Sequence, residues 1–86
     1  MIDYSFTKYA DREFRKLPLR VQRRIIKKIK FYISTDDPLH FADTIKGAKG
    51  KVYRFRIGDC RVIFDWLDIN GGHIRVTKVR PRPRAY

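Results

Sequence analysis

Acidic residues are scarce in this sequence: 9 Asp plus Glu stand against 21 Lys plus Arg, a formal charge of +12 over 86 residues. So one-sided a balance in so short a chain exceeds what a merely solvated basic face needs. It points to a polyanionic partner: nucleic acid, an anionic membrane or an acidic protein. Cysteine is nearly absent too. The single Cys60 excludes an internal disulfide and any zinc cluster built from cysteines. Lying in a strand-like stretch beside a turn, it reads as a small packing residue. His40 and His73 lack metal-ligand spacing and read as surface residues, so neither a metal site nor a cofactor is expected. No apolar run approaches the roughly 20 residues of a membrane span. The N-terminus, "MIDYSFTKYA", also lacks the basic-then-apolar order of a signal peptide, which makes a cytoplasmic protein the expectation.

Apolar and aromatic residues are plentiful enough for a core, so the chain should fold despite its charge. One domain is expected over residues 1–86. A domain this small buries only about 60% of its unfolded surface, so its stability is marginal and a partner matters to it.

"IDYSF" reads as a short strand with Ile2, Tyr4 and Phe6 on one face. Thr7 offers an N-cap, and "KYADREFRKL" places Tyr9, Phe14 and Leu17 at helical spacing. Pro18 ends that helix and suits the first turn of the next. A second helix is expected over 19–34, with Val21, Ile25, Ile29 and Tyr32 or Ile33 as its apolar stripe. Arg20, Arg23, Arg24, Lys27, Lys28 and Lys30 cover much of its remainder. Residues 35–50 read as a connection with one short turn around 41–45. The period then changes to 2, and strands are expected over 51–57, 60–68 and 73–80. The fold class is α+β: a first strand, two helices on one face of a small, mainly antiparallel sheet, and a C-terminal three-stranded meander.

A two-residue turn at Gly58 and Asp59 sets Arg56 opposite Arg61 and Arg54 opposite Ile63. Alternation then puts Arg54, Arg56 and Arg61 on one face and Tyr53, Phe55, Val62, Phe64 and Trp66 on the other. The helices must cover the aromatic face, so the arginine face is open to solvent. Like charges across a ladder are unfavourable. With only Asp65 nearby to offset them, the cluster suggests a phosphate site. For the second hairpin, a three-residue loop over Asn70–Gly72 keeps Ile74 and Val76 on the core face and brings Pro81 level with Arg61. The tail "KVRPRPRAY" thus arrives beside the cluster, with Arg80, Arg82, Arg84 and Tyr86 in reach of it. Arginine forks hold phosphates and rings stack on bases, so this reads as an RNA platform.

In its length, its β-α-α-β-β-β order and above all in "YRFRIGDCRVIFD" followed by a basic tail ending in tyrosine, the chain resembles the RelE/ParE superfamily of bacterial and archaeal toxins. The resemblance spans nearly the whole chain. It implies the RelE-like fold and, for the RelE branch, a ribosome-dependent endoribonuclease that cuts mRNA in the decoding site and is silenced by a cognate antitoxin. By position it assigns catalytic roles to Arg54, Arg56, Arg61, Arg80 and Tyr86, with Arg82 as an alternative to Arg80. Lys51, Lys78, Arg82 and Arg84 extend the surface that would contact RNA.

The implied chemistry is attack of a ribose 2′-hydroxyl on the adjacent phosphate, which needs a base, a stabilised phosphorane and a proton for the leaving oxygen. Arginines suit the phosphorane and are poor proton carriers, with a pKa above about 12. Better-known relatives carry lysine where Arg54 and Arg56 stand. Tyr86 is therefore the best base candidate, its phenolate favoured by neighbouring cations, although its terminal carboxylate also competes for that role. Two alternatives remain open from the residues: a ParE-like toxin that inhibits DNA gyrase without cleavage, and a catalytically weak RNA-binding relative. Either toxin implies an acidic, partly disordered antitoxin partner, with any operator DNA bound through the antitoxin complex.

Overall fold

A computed structural model of the chain describes residues 2–45 and 52–81. Lys51, Arg82, Arg84 and Tyr86 lie outside the described residues. The elements run β1 (Asp3–Phe6), α1 (Lys8–Arg15), α2 (Leu19–Ser34), a 3-10 turn (Pro38–Phe41), β2 (Asp43–Thr44), β3 (Val52–Ile57), β4 (Cys60–Leu67) and β5 (His73–Pro81). The strands form one sheet in the order β1-β5-β4-β3-β2. β1 pairs parallel to β5 and the other neighbours are antiparallel. Two helices on a mainly antiparallel sheet make this the α+β fold that the residue pattern implies.

The helices start where the local chemistry directs. Thr7 Oγ1 accepts from the Ala10 N–H at 3.1 Å, satisfying one of the donors that a helix start leaves open. Pro18 is the residue before α2 rather than part of its first turn, and its carbonyl accepts from the Val21 and Gln22 N–H groups. α2 buries Ile25, Ile29 and Tyr32, with Val21 and Ile33 packed at the margin. In α1 the inward residues are Ala10 and Phe14, and Leu17, just past its end, packs against the same core. Tyr9, expected among them, is 52% exposed, because the small Ala10 is what lets the helix approach the sheet. From the sheet, Phe55, Ile57, Val62, Phe64, Ile74, Val76 and Val79 complete the core. Full burial of each such side chain stabilises by about 1.5–3 kcal/mol. The Phe55 ring stacks on Phe64 at 4.4 Å and meets Tyr32 at 4.5 Å.

Two further departures from the sequence reading position the site. The segment expected to be a connection contains β2, which adds a strand to the sheet edge with Asp43 opposite Arg54. The short turn falls at Pro38–Phe41, ahead of the expected 41–45. The first hairpin has the register expected, Arg56 opposite Arg61 and Arg54 opposite Ile63. Gly58 takes φ +57° at the first turn position, the type II′ arrangement that suits a two-residue hairpin.

The second hairpin does not follow expectation. Leu67 pairs with His73, so the loop runs from Asp68 to Gly72, with Asn70, Gly71 and Gly72 at positive φ. Trp66 lies against Gly72, where an added Cβ would come within 2.5 Å of the indole. Ile74 and Val76 face the core as expected, opposite Trp66 and Phe64. A bulge then intervenes: Phe64 pairs with Val76 and Ile63 with Lys78. Thr77 is the extra residue, and its Oγ1 donates to the Ile63 carbonyl at 3.3 Å. Pairing beyond the bulge sets Val79 opposite Val62 in the core and Arg80, not Pro81, opposite Arg61.

Candidate functional site

That bulge is what builds the site. Side chains alternate along a strand, so without an inserted residue Lys78 and Arg80 would share the core face of Ile74 and Val76. The insertion reverses the parity, a known use of bulges to re-aim a side chain. Arg56, Arg61 and Arg80 now form one rung across β3, β4 and β5. Adjacent strands lie about 4.8 Å apart, so neighbouring guanidinium groups can fork over a single phosphate. Three cations abreast repel one another when no anion is bound.

Beside this rung, Glu13, Thr44, Ile45, Arg54, Arg61, Ile63, Arg80 and Pro81 line an open cleft of about 810 Å³. The structure therefore brings Arg54, Arg61 and Arg80 together around one depression. Arg56 lies at its side, in a smaller hollow of about 300 Å³ at the β3–β4 turn, which Arg61 also lines. Lys78 is exposed on the same face opposite Ile63 and does not line the cleft.

The arginines are not all equally free. Arg54, expected in open solvent, is only 26% exposed, and its Nε is buried without a hydrogen-bond partner. Its Nη2 lies 3.4 Å from an Asp43 oxygen that Arg56 Nε also approaches, at 3.1 Å. The expectation that only Asp65 lies nearby is thereby corrected: Asp65 is occupied by Arg75 at 2.8 Å, and Asp43 on β2 is the neutralising group. Arg80 Nε is 4.0 Å from Glu13 Oε2, while Glu13 Oε1 accepts from the Val79 N–H at 2.8 Å. That bond satisfies a donor on the β5 edge just past the point where β1 stops pairing. Among the described residues, Arg61 is the cleft arginine that no carboxylate reaches.

Asp43 and Glu13 are the two site residues that sequence reasoning missed. Nothing local marks Asp43, because a two-residue strand is too short to show alternation. Glu13 carries a faint signal as the one glutamate of the chain. The bulge has a clearer one, since the apolar spacing on β5 stretches from Ile74 and Val76 to Val79.

Elsewhere the residues behave as fillers or surface. Cys60 is in the core, and burial, with Asp59 adding to it and Arg24 opposing it, pushes its thiol pKa up. A thiol kept protonated in this way is a packing group rather than a nucleophile. His73 shares a 2.7 Å hydrogen bond with Ser5 Oγ and His40 is exposed against the Phe41 ring. The described residues hold no cluster of three or more potential metal ligands. Among the described residues, no helix is long and apolar enough to cross a membrane.

Three solved structures share this architecture. The Escherichia coli RelBE toxin–antitoxin complex aligns with TM-score 0.73 at 19% identity, covering 94% of this chain and 96% of that one. The RelB-RelE complex of Methanococcus jannaschii gives TM-score 0.68 and 20% identity over 88% and 87% of the two chains. A RelBE toxin–antitoxin complex of Mycobacterium tuberculosis gives 0.67 and 22% over 93% and 96%. The fold is the RelE toxin fold. No protein-family model and no curated protein matches the sequence. At these identities the RelE likeness is one of architecture, and the chemistry must be argued from the cleft itself.

Proposed function

We propose that this protein is the toxin of a toxin–antitoxin pair, and that its arginine cleft cleaves mRNA in the decoding site of the ribosome. The observation that carries this reading is the bulge-built row of Arg56, Arg61 and Arg80 beside an open cleft, on the sheet face that α1 and α2 leave uncovered among the described residues. Asp43 and Glu13 offset part of the repulsion in this row and, among the described residues, leave Arg61 without a carboxylate, so an anion bound at Arg61 would relieve what remains. The RelE fold of the three neighbours, each determined with an antitoxin, supports the same reading.

The proposed steps use the cleft arginines together with Tyr86, which lies outside the described residues. The ribose 2′-oxygen attacks the adjacent phosphorus while its proton passes to Tyr86, the base in this proposal. Arg61 and Arg80 hold the equatorial oxygens of the phosphorane, whose extra negative charge they bind more tightly than that of the ground state. The P–O5′ bond breaks, and the departing oxygen takes a proton from solvent held by an arginine. The products are a 2′,3′-cyclic phosphate and a 5′-hydroxyl. Arg54, fixed by Asp43 and half-buried, shapes the wall of the cleft, and Lys51, Lys78, Arg82 and Arg84 draw the strand toward it. An acidic antitoxin segment that folds over this face would compete for the same cations.

The test is in vitro translation of a defined mRNA with purified protein, mapping new 5′ ends with and without ribosomes. Cuts at codon positions that require ribosomes and vanish in Arg61→Ala support the reading. Intact mRNA at a dose that saturates ribosomes overturns it, and gyrase supercoiling becomes the assay to run.

A further inference from the structure

A second strongly basic surface faces away from the cleft. α2 turns Ile25, Ile29 and Tyr32 into the core, so Arg20, Arg23, Lys27 and Lys28 lie on its outer side while Arg24 reaches toward the β3–β4 turn, all five exposed. They form two rows, Arg20, Arg24 and Lys28 in one and Arg23, Lys27 and Phe31 in the other, each step advancing about 6 Å along the helix. A groove of about 580 Å³ runs between them. α2 contains no acidic residue, and among the described residues no ion pair reaches these cations. Like charges four apart on a helix repel. Lys28 lies over the Phe31 ring at 6.0 Å, but helix stability does not account for so many like charges on one face.

The two surfaces meet at one point. Gly58 has no side chain where Arg24 crosses the β3–β4 turn; a Cβ there would lie 2.8 Å from Arg24 Nη1. Arg24 is also close enough to Cys60 to act on its thiol. The hollow at the same turn is lined by Arg56 and Arg61. Cations therefore run from α2, over a glycine, to the rung that borders the cleft.

We propose that the α2 face is a second RNA-binding surface, which grips the phosphate backbone of base-paired RNA while the cleft takes a single strand. Three cations on one side of a groove and two on the other suit two phosphate chains, and backbone recognition needs no contact with bases. A protein helix docking here would need apolar anchors at i, i+3, i+4 and i+7. α2 presents cations at those positions, and its exposed Leu19 and Phe31 stand toward opposite ends. This inference rests on charge placement alone, so it stands or falls separately from cleavage in the cleft.

The test is fluorescence anisotropy with a labelled RNA stem-loop, measured as a function of salt on the full-length protein. Three proteins are compared: wild type, Arg20→Gln/Arg24→Gln/Lys28→Gln, and the control Lys8→Gln/Arg12→Gln/Lys16→Gln, which removes equal charge from exposed positions around α1. Removing one cation that touches a phosphate lowers the salt slope by about 1, so the α2 variant should show a slope smaller by about 3 and bind on the order of a hundredfold more weakly at 0.1 M salt. The control should bind within about twofold of wild type. Equal weakening in the two variants would mean that only net charge counts, and would overturn the proposal. So would an α2 variant that keeps its stem-loop affinity while losing that for an acidic amphipathic peptide, which would make the face a protein-docking surface. All six positions are exposed, so thermal unfolding should show both variants folded; a lower Tm for the α2 variant would itself contradict the account, because repulsion has been removed.

Discussion

The two basic surfaces of this molecule are electrostatically unlike. On the sheet, Arg54 and Arg56 share Asp43, Arg75 has Asp65, and Arg80 has Glu13. On α2, a comparable number of cations has no ion-paired carboxylate among the described residues. Pairing a guanidinium with a carboxylate fixes its direction and subtracts from its field, whereas leaving it unpaired does the reverse. The cleft is thus an oriented site of moderate field, and the helix a strong field with little orientation. Catalysis needs the first, because groups must be in place before charge develops. Capture of a polyanion needs only the second. Arg61 stands between the two, held in the rung and without a carboxylate partner among the described residues, which makes it the group best placed to take a phosphate.

Substitutions can break that comparison, and the largest effect should come from Arg61. Arg61→Ala should lower the cleavage rate by roughly 10²–10³-fold, the loss typical of one transition-state donor. Arg20→Ala should change it by no more than about twofold at saturating protein, since it removes field only. Equal losses would erase the distinction between the surfaces. Next, Tyr86→Phe should slow the chemical step by about 10²-fold with ribosome affinity unchanged in a binding titration. An unchanged rate would remove the phenol from the proton path.

A smaller effect sharpens the contrast from the other side. Asp43→Asn frees Arg54 and Arg56 and makes the sheet more like the helix. RNA affinity should rise a few-fold with a steeper salt dependence, while stability falls by no more than about 1 kcal/mol, because the pairs are partly solvated. The smallest effect reports on the crossing point. Burial raises the Cys60 pKa and Arg24 opposes that rise, so Arg24→Gln should raise it further and slow alkylation of the thiol at alkaline pH. The folded state holds the Cys60 proton more tightly than the unfolded chain. Its contribution to stability is therefore present below the ordinary thiol pKa and is lost as pH rises through the raised one. Cys60→Ala should flatten that alkaline loss in a urea titration series.

Much of this was legible in the residues. Pro18 and the 3.6-period stripe delimit α2 at Leu19–Ser34, and a glycine in a two-residue turn leaves one register for the first hairpin. The cleft arginines on β3 and β4 follow from alternation alone. What stayed hidden is nonlocal. The Asp43 pairing depends on β2 folding back along β3, and the Glu13 contact depends on how α1 lies across β5. The bulge at Thr77 was visible only as an irregular apolar spacing, and it alone decides that Arg80 faces Arg61 instead of the core.

The measurement that tests the central claim most directly is single-turnover cleavage of a ribosome-bound mRNA as protein concentration is raised, for wild type, Arg61→Ala and the Arg20→Gln/Arg24→Gln/Lys28→Gln variant. Arg61→Ala should lower the saturating rate with little change in half-saturation. The helix variant should keep the saturating rate and shift half-saturation to higher concentration. Absence of cleavage by the wild type, or the same fall in saturating rate for both variants, would contradict the division of labour between cleft and helix.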